Sequence, residues 1–180
     1  MNADIRCIIG LGNPGQEYAL QRHNIGFRII DAVCSNNNGS WQIKNSMAIA
    51  EVAIRDKNIL LIKPLTGMNL SGSVIASLRK KGITPEQTIV VHDELEKKFG
   101  DITLKKGGSA RGHNGLRSLI SVWGENFYRL RCGIGRPIAK DEVPQYVLSR
   151  FSESYQDVED MIQKATSKLD EIIPCPAAKN

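Results

Sequence analysis

Two hydrophobic periods alternate along this chain and divide it into strands and helices. Short apolar runs predict strands over residues 5–11, 48–54, 59–63, 88–92, 102–106 and 128–134. Apolar residues spaced three or four apart predict helices around Ile29, Val74, Leu119 and Ala165. A hairpin is expected around 56–58, and residues 174–180 should form a frayed tail. Interleaved strands and helices predict one α/β domain over residues 1–180, with a central twisted mixed β-sheet flanked by helices.

The predicted strand at 128–134 has an unusual alternation. Leu130, Cys132 and Ile134 alternate with Arg129 and Arg131, which predicts one buried face and one basic face. Ligands of α/β sheets gather where strands end in loops. The strands that end before residues 12, 92 and 107 are therefore expected to bring their loops to one cleft.

Composition narrows the class of protein. The chain has 180 residues, 41% of them hydrophobic, and no apolar run of the roughly 20 residues that a membrane helix needs. The sequence predicts a soluble, cytoplasmic protein without a signal peptide. Its four cysteines form no C-x-x-C pair, so we expect reduced core thiols rather than a zinc site or a disulfide framework.

Positive charge is concentrated in the first 140 residues. That part contains 20 Lys and Arg against 11 Asp and Glu, whereas residues 141–180 contain 4 against 8. Such a field suits a polyanionic partner such as RNA, although lysine and arginine also serve simply to solvate a surface. The basic residues lie close to the glycine-rich loops, which makes the two interpretations about equally good before any motif is considered.

Glycine-rich turns precede two of the three histidines. Residues 10–15 match G-x-G-x-x-G after a strand and lead to His23, and residues 107–112 lead to His113. A dinucleotide site would need a helix opening on the third glycine and an acidic residue about 20 positions later. Neither signal is present, so binding of NAD or FAD is a poor alternative. The turn explains the glycines by backbone freedom but leaves the amide of Asn13 unexplained.

Covalent hydrolase chemistry is not indicated either. A nucleophile elbow would read G-x-S-x-G, but the nearest approach, around Ser109, has Arg111 in place of the last glycine. Ser71 is better explained as a capping or packing hydroxyl early in a helix. What remains is a histidine that acts as a general base on water and a carboxylate that orients it. His23 and Asp93 suit those roles, although an aspartate after a strand is also a common turn cap.

Several strings then place the chain beside a known family. The sequence resembles bacterial peptidyl-tRNA hydrolase, from residue 8 to about 151. The shared strings are Gly10-Leu-Gly-Asn-Pro-Gly15, Tyr18, Arg22-His23-Asn24, Lys63-Pro64-x-Thr66-x-Met68-Asn69-x-Ser71-Gly72, His92-Asp93-Glu94-Leu95, Gly107-Gly108, Gly112-His113-Asn114-Gly115-Leu116 and Arg129-Leu130-Arg131-x-Gly-Ile-Gly-Arg136-Pro137.

The resemblance implies a monomeric enzyme without metal or cofactor that cleaves the ester between a peptide and the 3′ ribose of tRNA. It implies that His23 is the general base, that Asp93 stabilises it, and that Asn13 reads the blocked, peptide-like nitrogen. Substrate contacts are implied for Met68, Asn69, Asn114 and Tyr18, phosphate contacts for Lys105 and Arg136, and a supporting role for His113. No membrane partner is expected.

Two single positions and one four-residue segment depart from the family pattern. Gly67 stands where a bulky aromatic residue usually contacts substrate, and Arg111 stands among small glycines, where it would either add a phosphate contact or narrow the cleft. Glu96-Lys97-Lys98-Phe99 replaces an acidic, proline-rich turn, and the two lysines are expected to strengthen tRNA binding. A catalytically impaired RNA-binding module is therefore the alternative function.

Overall fold

A computed structural model describes residues 4–173 of the chain. The expected tail at 174–180, with Cys175, lies outside the described residues. Seven strands form one mixed sheet in the order β2-β3-β4-β1-β5-β7-β6. Their bounds are β1 Cys7–Gly10, β2 Gln42–Lys44, β3 Met47–Ile54, β4 Lys57–Pro64, β5 Thr88–Glu94, β6 Ile102–Lys106 and β7 Tyr128–Gly133. The four central strands β4, β1, β5 and β7 are parallel, and β3 and β6 pair with them antiparallel. The α/β class with a mixed sheet is confirmed.

Helices cover both faces of the sheet and create two hydrophobic cores. The helices are α1 Ile25–Asn36, α2 Ile75–Lys80, α3 Asn114–Trp123, α4 Val143–Leu148 and α5 Tyr155–Ile172. One core joins the sheet to α1 and α5, and the other joins it to α2 and α3. The central strands are apolar on both faces because both are covered. This packing fixes the edge of the sheet at which the loops after β1 and β5 meet.

Most predicted elements are confirmed, with local differences. The hairpin of β3 and β4 turns at Arg55 and Asp56, both at positive φ, one residue earlier than expected. The helix predicted around Val74 begins as a 3₁₀ segment over Met68–Val74, broken at Leu70, before it continues as α2. β2 and α4 were not predicted, because three and six residues are too few to show a period.

Two expectations about the strands need correction. The basic face of β7 is not solvated. Arg129 is only 4% exposed and bonds to the carbonyls of the loop at residues 108 and 109, and Arg131 is half-buried and pairs with Glu94. In addition, β6 runs antiparallel to β7, so Lys106 pairs with Tyr128 at the start of β7. The strand end at Lys106 therefore lies at the opposite edge from the ends of β1 and β5. The loop after it, rather than the strand itself, carries His113 back to the cleft.

The remaining composition-based expectations concern cysteines and membranes. Cys7, Cys34 and Cys132 are free and buried, as expected of core thiols. Burial raises the pKa of the Cys7 and Cys132 thiols far above the ordinary value, so both stay protonated. Over residues 4–173, none of the helices combines the length and the apolar content that crossing a bilayer would take.

Candidate active site

The site forms where β1 and β5 end side by side. Gly10 pairs with Val91 in the parallel ladder, so the loop after β1 and the last residues of β5 leave the sheet together. Asn13 lies in the loop after β1, and Asp93 lies near the end of β5. A short 3₁₀ turn, Arg22–Asn24, places His23 just before α1. Gly26 lets α1 approach this edge, because a Cβ there would lie 2.4 Å from the carbonyl oxygen of Val91.

One carboxylate oxygen binds two histidines. Asp93 Oδ1 lies 2.9 Å from His23 Nδ1 and 3.0 Å from His113 Nε2. The Asp93 side chain is 2% exposed and the histidine side chains are 10% and 9% exposed, so the three groups share a desolvated environment. An ionised carboxylate only accepts hydrogen bonds, so both histidine nitrogens donate to it. His23 and Asp93, predicted as a pair, are thus in direct contact, and His113 is a third member.

These bonds fix the tautomers of both imidazoles. His113 is the N-cap of α3, and its Nδ1 accepts the backbone N–H of Leu116 at 3.3 Å. Its proton is therefore on Nε2, where it can be donated to Asp93. His23 donates from Nδ1, which leaves its Nε2 with a free lone pair. A neutral His23 in this tautomer is a base whose acceptor nitrogen points away from the carboxylate.

The pKa values of the cluster follow from burial and pairing. Burial alone would raise the pKa of Asp93, but the charges and hydrogen bonds of His23 and His113 hold it well below its usual range. Burial alone would lower the pKa of His23, but attraction to Asp93 and their hydrogen bond raise it above the ordinary value. Asp93 is thus a permanent anion that favours the protonated form of His23.

The third histidine, His92, is held neutral. Burial lowers its pKa to about 3, and the neighbouring His113 contributes further. Its Nδ1 donates to the Asp93 carbonyl oxygen at 2.7 Å, and its Nε2 is buried without a hydrogen-bond partner among residues 4–173. Its ring lies edge-on to His113, with centroids 5.2 Å apart. His92 therefore packs against the cluster as an uncharged aromatic ring.

Asn13 is held in one orientation from both sides. The Asn24 side chain accepts the Asn13 backbone N–H at 3.0 Å and donates to the Asn13 carbonyl oxygen at 2.8 Å. The Asn13 side-chain oxygen in turn accepts the backbone N–H of Met68 at 2.9 Å. The amide hydrogens of the Asn13 side chain are thus the groups left to donate to a substrate. Asn114 is similar, since its side-chain oxygen accepts from Arg117 at 3.0 Å.

A cavity of about 360 Å³ opens beside the histidine cluster. It is lined by six of the residues singled out in the sequence: His23, Asp93, His113, Asn114, Lys105 and Arg136. Leu95, Val143 and Val147 add apolar side chains to the lining. A desolvated pocket with a few convergent polar groups is the usual form of a small-substrate site.

The other predicted residues do not line this cavity. Asn69 lines a shallow groove between the 3₁₀ segment and α3, and Asn114 belongs to both spaces. Met68 is buried, and a Cβ at Gly115 would lie 2.5 Å from its sulfur. Gly67 has φ +84° with open space where a side chain would begin. Asn13 and the half-buried Tyr18 line neither space.

Two buried arginines support the site, although sequence analysis assigned neither of them a role in it. Arg22, next to His23, is 3% exposed; it donates to Ser149 Oγ at 2.7 Å and stacks 4.1 Å from the centre of the Tyr146 ring. It thereby ties the segment after α4 to the His23 turn. Arg129 donates to the carbonyl oxygens of Ser109 and Gly108 and so holds the loop before His113. The signal available in the sequence was that each arginine belongs to one of the shared strings.

The histidine cluster is also where a metal ion could be held. Among residues 4–173, the nitrogen and oxygen ligands of His23, Asp93 and His113 are the group that comes within 4.8 Å of one another. Here His23 Nδ1 and His113 Nε2 both donate hydrogen bonds to the carboxylate. A cation bound to these atoms would have to displace their protons.

The segment that departs from the family pattern borders the cavity. Glu96 forms an ion pair with Arg136, and both side chains are about two-fifths exposed or more. A phosphate that contacts Arg136 must therefore compete with a carboxylate. The backbone carbonyl of Lys97 accepts the N–H of Gly135 at 3.0 Å, which fixes this turn against the segment after β7.

Comparison with known proteins points to one family. The family model described as peptidyl-tRNA hydrolase matches residues 7–179. Peptidyl-tRNA hydrolase from Roseobacter denitrificans is 42% identical over 165 residues, which cover 91% of this chain and 71% of that protein. The protein of the same name from Wolbachia pipientis wMel is 40% identical over 164 residues, which cover 90% of this chain and 90% of that protein. The crystal structure of peptidyl-tRNA hydrolase from Acinetobacter baumannii superimposes with a TM-score of 0.88 at 36% identity, covering 95% of this chain and 89% of that one.

Proposed function

The chain belongs to the peptidyl-tRNA hydrolase family and hydrolyses peptidyl-tRNA, and from that premise we propose which residues carry out the reaction. His23 is the general base and Asp93 the carboxylate that orients it. The observation that carries the assignment is the 2.9 Å bond between His23 Nδ1 and Asp93 Oδ1, which leaves His23 Nε2 free beside the cavity.

The reaction begins with water. His23 Nε2 removes a proton from a water molecule as its oxygen attacks the ester carbonyl carbon. The resulting imidazolium is stabilised by the Asp93 carboxylate, which stays ionised. The bond to the ribose 3′ oxygen then breaks, and that oxygen takes the proton from His23 Nε2. The products are a peptide with a free carboxyl group, which then loses its proton to solvent, and a tRNA with a free 3′ hydroxyl, and His23 returns to its neutral form.

Amide donors hold the acyl part of the substrate. Asn13 and Asn114 each present amide hydrogens, because their side-chain oxygens are already occupied. Such fixed donors stabilise carbonyl oxygens and the negative charge that develops on them. Asn13 acts on the peptide next to the ester and so favours blocked substrates over free aminoacyl-tRNA. Asn69 and Met68 form the neighbouring wall, which Gly67 leaves wider than an aromatic residue would.

The RNA part of the substrate is held by charge. Lys105 and Arg136 contact phosphates near the cavity, and Tyr18 contacts the tRNA end. Phosphate contacts supply much of the affinity of RNA-binding proteins without reading sequence. We further propose that the enzyme acts as a monomer in the cytoplasm, where its substrate arises. The net charge of +5 on the chain suits an RNA partner.

The assignment is tested by hydrolysis of N-acetyl-aminoacyl-tRNA. His23→Ala should abolish turnover while tRNA binding is retained, and Asn13→Ala should reduce the preference for the blocked substrate over aminoacyl-tRNA. Wild-type protein that binds tRNA but shows no turnover would instead support the impaired binding module. Turnover that survives His23→Ala would refute His23 as the base.

A further inference from the structure

The loop before His113 carries an arginine where the backbone disfavours a side chain. Gly107, Gly108 and Gly112 have φ values of +66°, +102° and +85°, and Arg111 among them has φ +46°. In this left-handed region a Cβ crowds the following carbonyl oxygen, so glycine is the residue that fits without strain. Arg111 occupies the position in spite of that cost.

Hydrogen bonds hold the loop in this conformation. Arg129 donates to the Ser109 carbonyl oxygen at 2.7 Å and also to that of Gly108. The backbone N–H of His113 donates to the Ala110 carbonyl oxygen at 2.9 Å, which closes the turn around Arg111. The guanidinium of Arg111 therefore extends from a fixed point two residues from the histidine that binds Asp93.

Arg111 is one of the free cations at the cavity. Its side chain is exposed and lines the cavity together with Lys105 and Lys140. Across residues 4–173, none of these three side chains has an ion-pair or hydrogen-bond partner. Two other arginines of the cavity are already paired with carboxylates: Arg131 with Glu94 and Arg136 with Glu96. Arg129 also lines the cavity, but its guanidinium is taken up by two backbone carbonyls of the loop. The cations left free for an anion in the cavity are thus Lys105, Arg111 and Lys140.

We propose that Arg111 binds a phosphodiester at the acceptor end of the RNA substrate. The inference rests on the proposed function, because the anion that enters this cavity is then the 3′ end of a tRNA. A guanidinium matches a phosphate with two parallel hydrogen bonds, which an ammonium cannot form. Held at the cavity by a rigid loop, Arg111 provides such a contact close to the ester.

Arg55 provides a matched control within the same chain. It is exposed and has φ +48°, almost the same φ as Arg111. It lies in the turn before β4, at the edge of the sheet where the parallel strands begin, opposite the site. Arg55→Gly therefore removes the same charge and the same strained Cβ without touching the cavity.

The experiment compares Arg111→Gly, Arg111→Gln and Arg55→Gly with wild type. Affinity for deacylated tRNA is measured from about 50 to 200 mM salt, and thermal stability is measured in parallel. Both Arg111 variants should bind about tenfold more weakly, with a salt slope smaller by about 0.7 to 0.9. Arg55→Gly should bind as wild type does. Both glycine variants should melt at or above the wild-type temperature, because they relieve the same backbone conformation.

Equal affinity and equal salt slope for Arg111→Gly and Arg55→Gly would overturn the proposal. Binding at the wild-type level by Arg111→Gln, which keeps a polar side chain but removes the charge, would also overturn it. Failure of the proposed function has a different signature, namely wild-type protein that does not hydrolyse N-acetyl-aminoacyl-tRNA. The binding comparison is unaffected by that outcome.

Discussion

Replacement of Asp93 by asparagine tests the electrostatic basis of the site. The change keeps the shape of the side chain and removes its charge. Asparagine can still accept from His23 through Oδ1, but it no longer stabilises the imidazolium that forms as water is deprotonated. Because the Asp93 side chain is 2% exposed, solvent cannot replace the lost charge. The variant should therefore fold and bind tRNA but hydrolyse peptidyl-tRNA slowly.

The size of the effect follows from the geometry. With 2.9 Å between Nδ1 and Oδ1, the charge centres are about 4 Å apart, and an effective dielectric constant of about 20 gives an attraction of about 4 kcal/mol. Each 1.36 kcal/mol corresponds to about a factor of ten in rate. Asp93→Asn should thus lower kcat/KM by about a thousandfold. Asp56→Asn, an exposed change at the opposite edge of the sheet, should leave it unchanged.

The pH dependence gives a second readout on the same variant. A general base works in its neutral form, and Asp93 raises the pKa of His23 above 6.5. Wild-type activity should therefore fall as pH drops through a value above 6.5. Without Asp93, burial is left as the dominant influence and lowers the pKa, so the acidic limb should move to lower pH. Activity of Asp93→Asn within tenfold of wild type, with an unmoved limb, would refute the role of the carboxylate.

Three further changes test the surroundings of the site. Asn24→Ala removes both bonds to the Asn13 backbone and should cost about 3 kcal/mol in urea unfolding, as well as activity; a loss under 1 kcal/mol would contradict this. His92 has a pKa of about 3 when folded against 6.5 when unfolded, so it destabilises the protein as pH falls below 6.5. Between about pH 7 and 4.5, the free energy of unfolding of His92→Phe, measured with urea, should therefore fall by about 2 to 3 kcal/mol less than that of wild type. Equal falls in the two proteins would exclude this. Replacing both Lys97 and Lys98 with alanine should weaken tRNA binding and reduce its salt slope, and an unchanged slope would rule out their contact.

The strands of this fold could be predicted because burial on both faces leaves continuous apolar runs. The segment from Ile89 to Val91 is such a run, and its end correctly located Asp93. The direction of β6 could not be predicted, because the apolar pattern of a strand is the same whichever way it runs. The loop of glycines after Lys106 was therefore expected at the correct cleft for the wrong reason.

The pairing of His23 with Asp93 was predictable from residue types, but the sharing of one oxygen with His113 was not. That arrangement depends on α3 starting at His113, whose Nδ1 caps the helix and thereby puts its proton on the nitrogen that faces Asp93. Sequence marks His113 as a residue beside the site without stating its tautomer. The structure supplies this step because the cap bond and the carboxylate bond use opposite nitrogens of one ring. If Leu116 lost its capping bond, His113 could adopt either tautomer, and only one of them donates to Asp93.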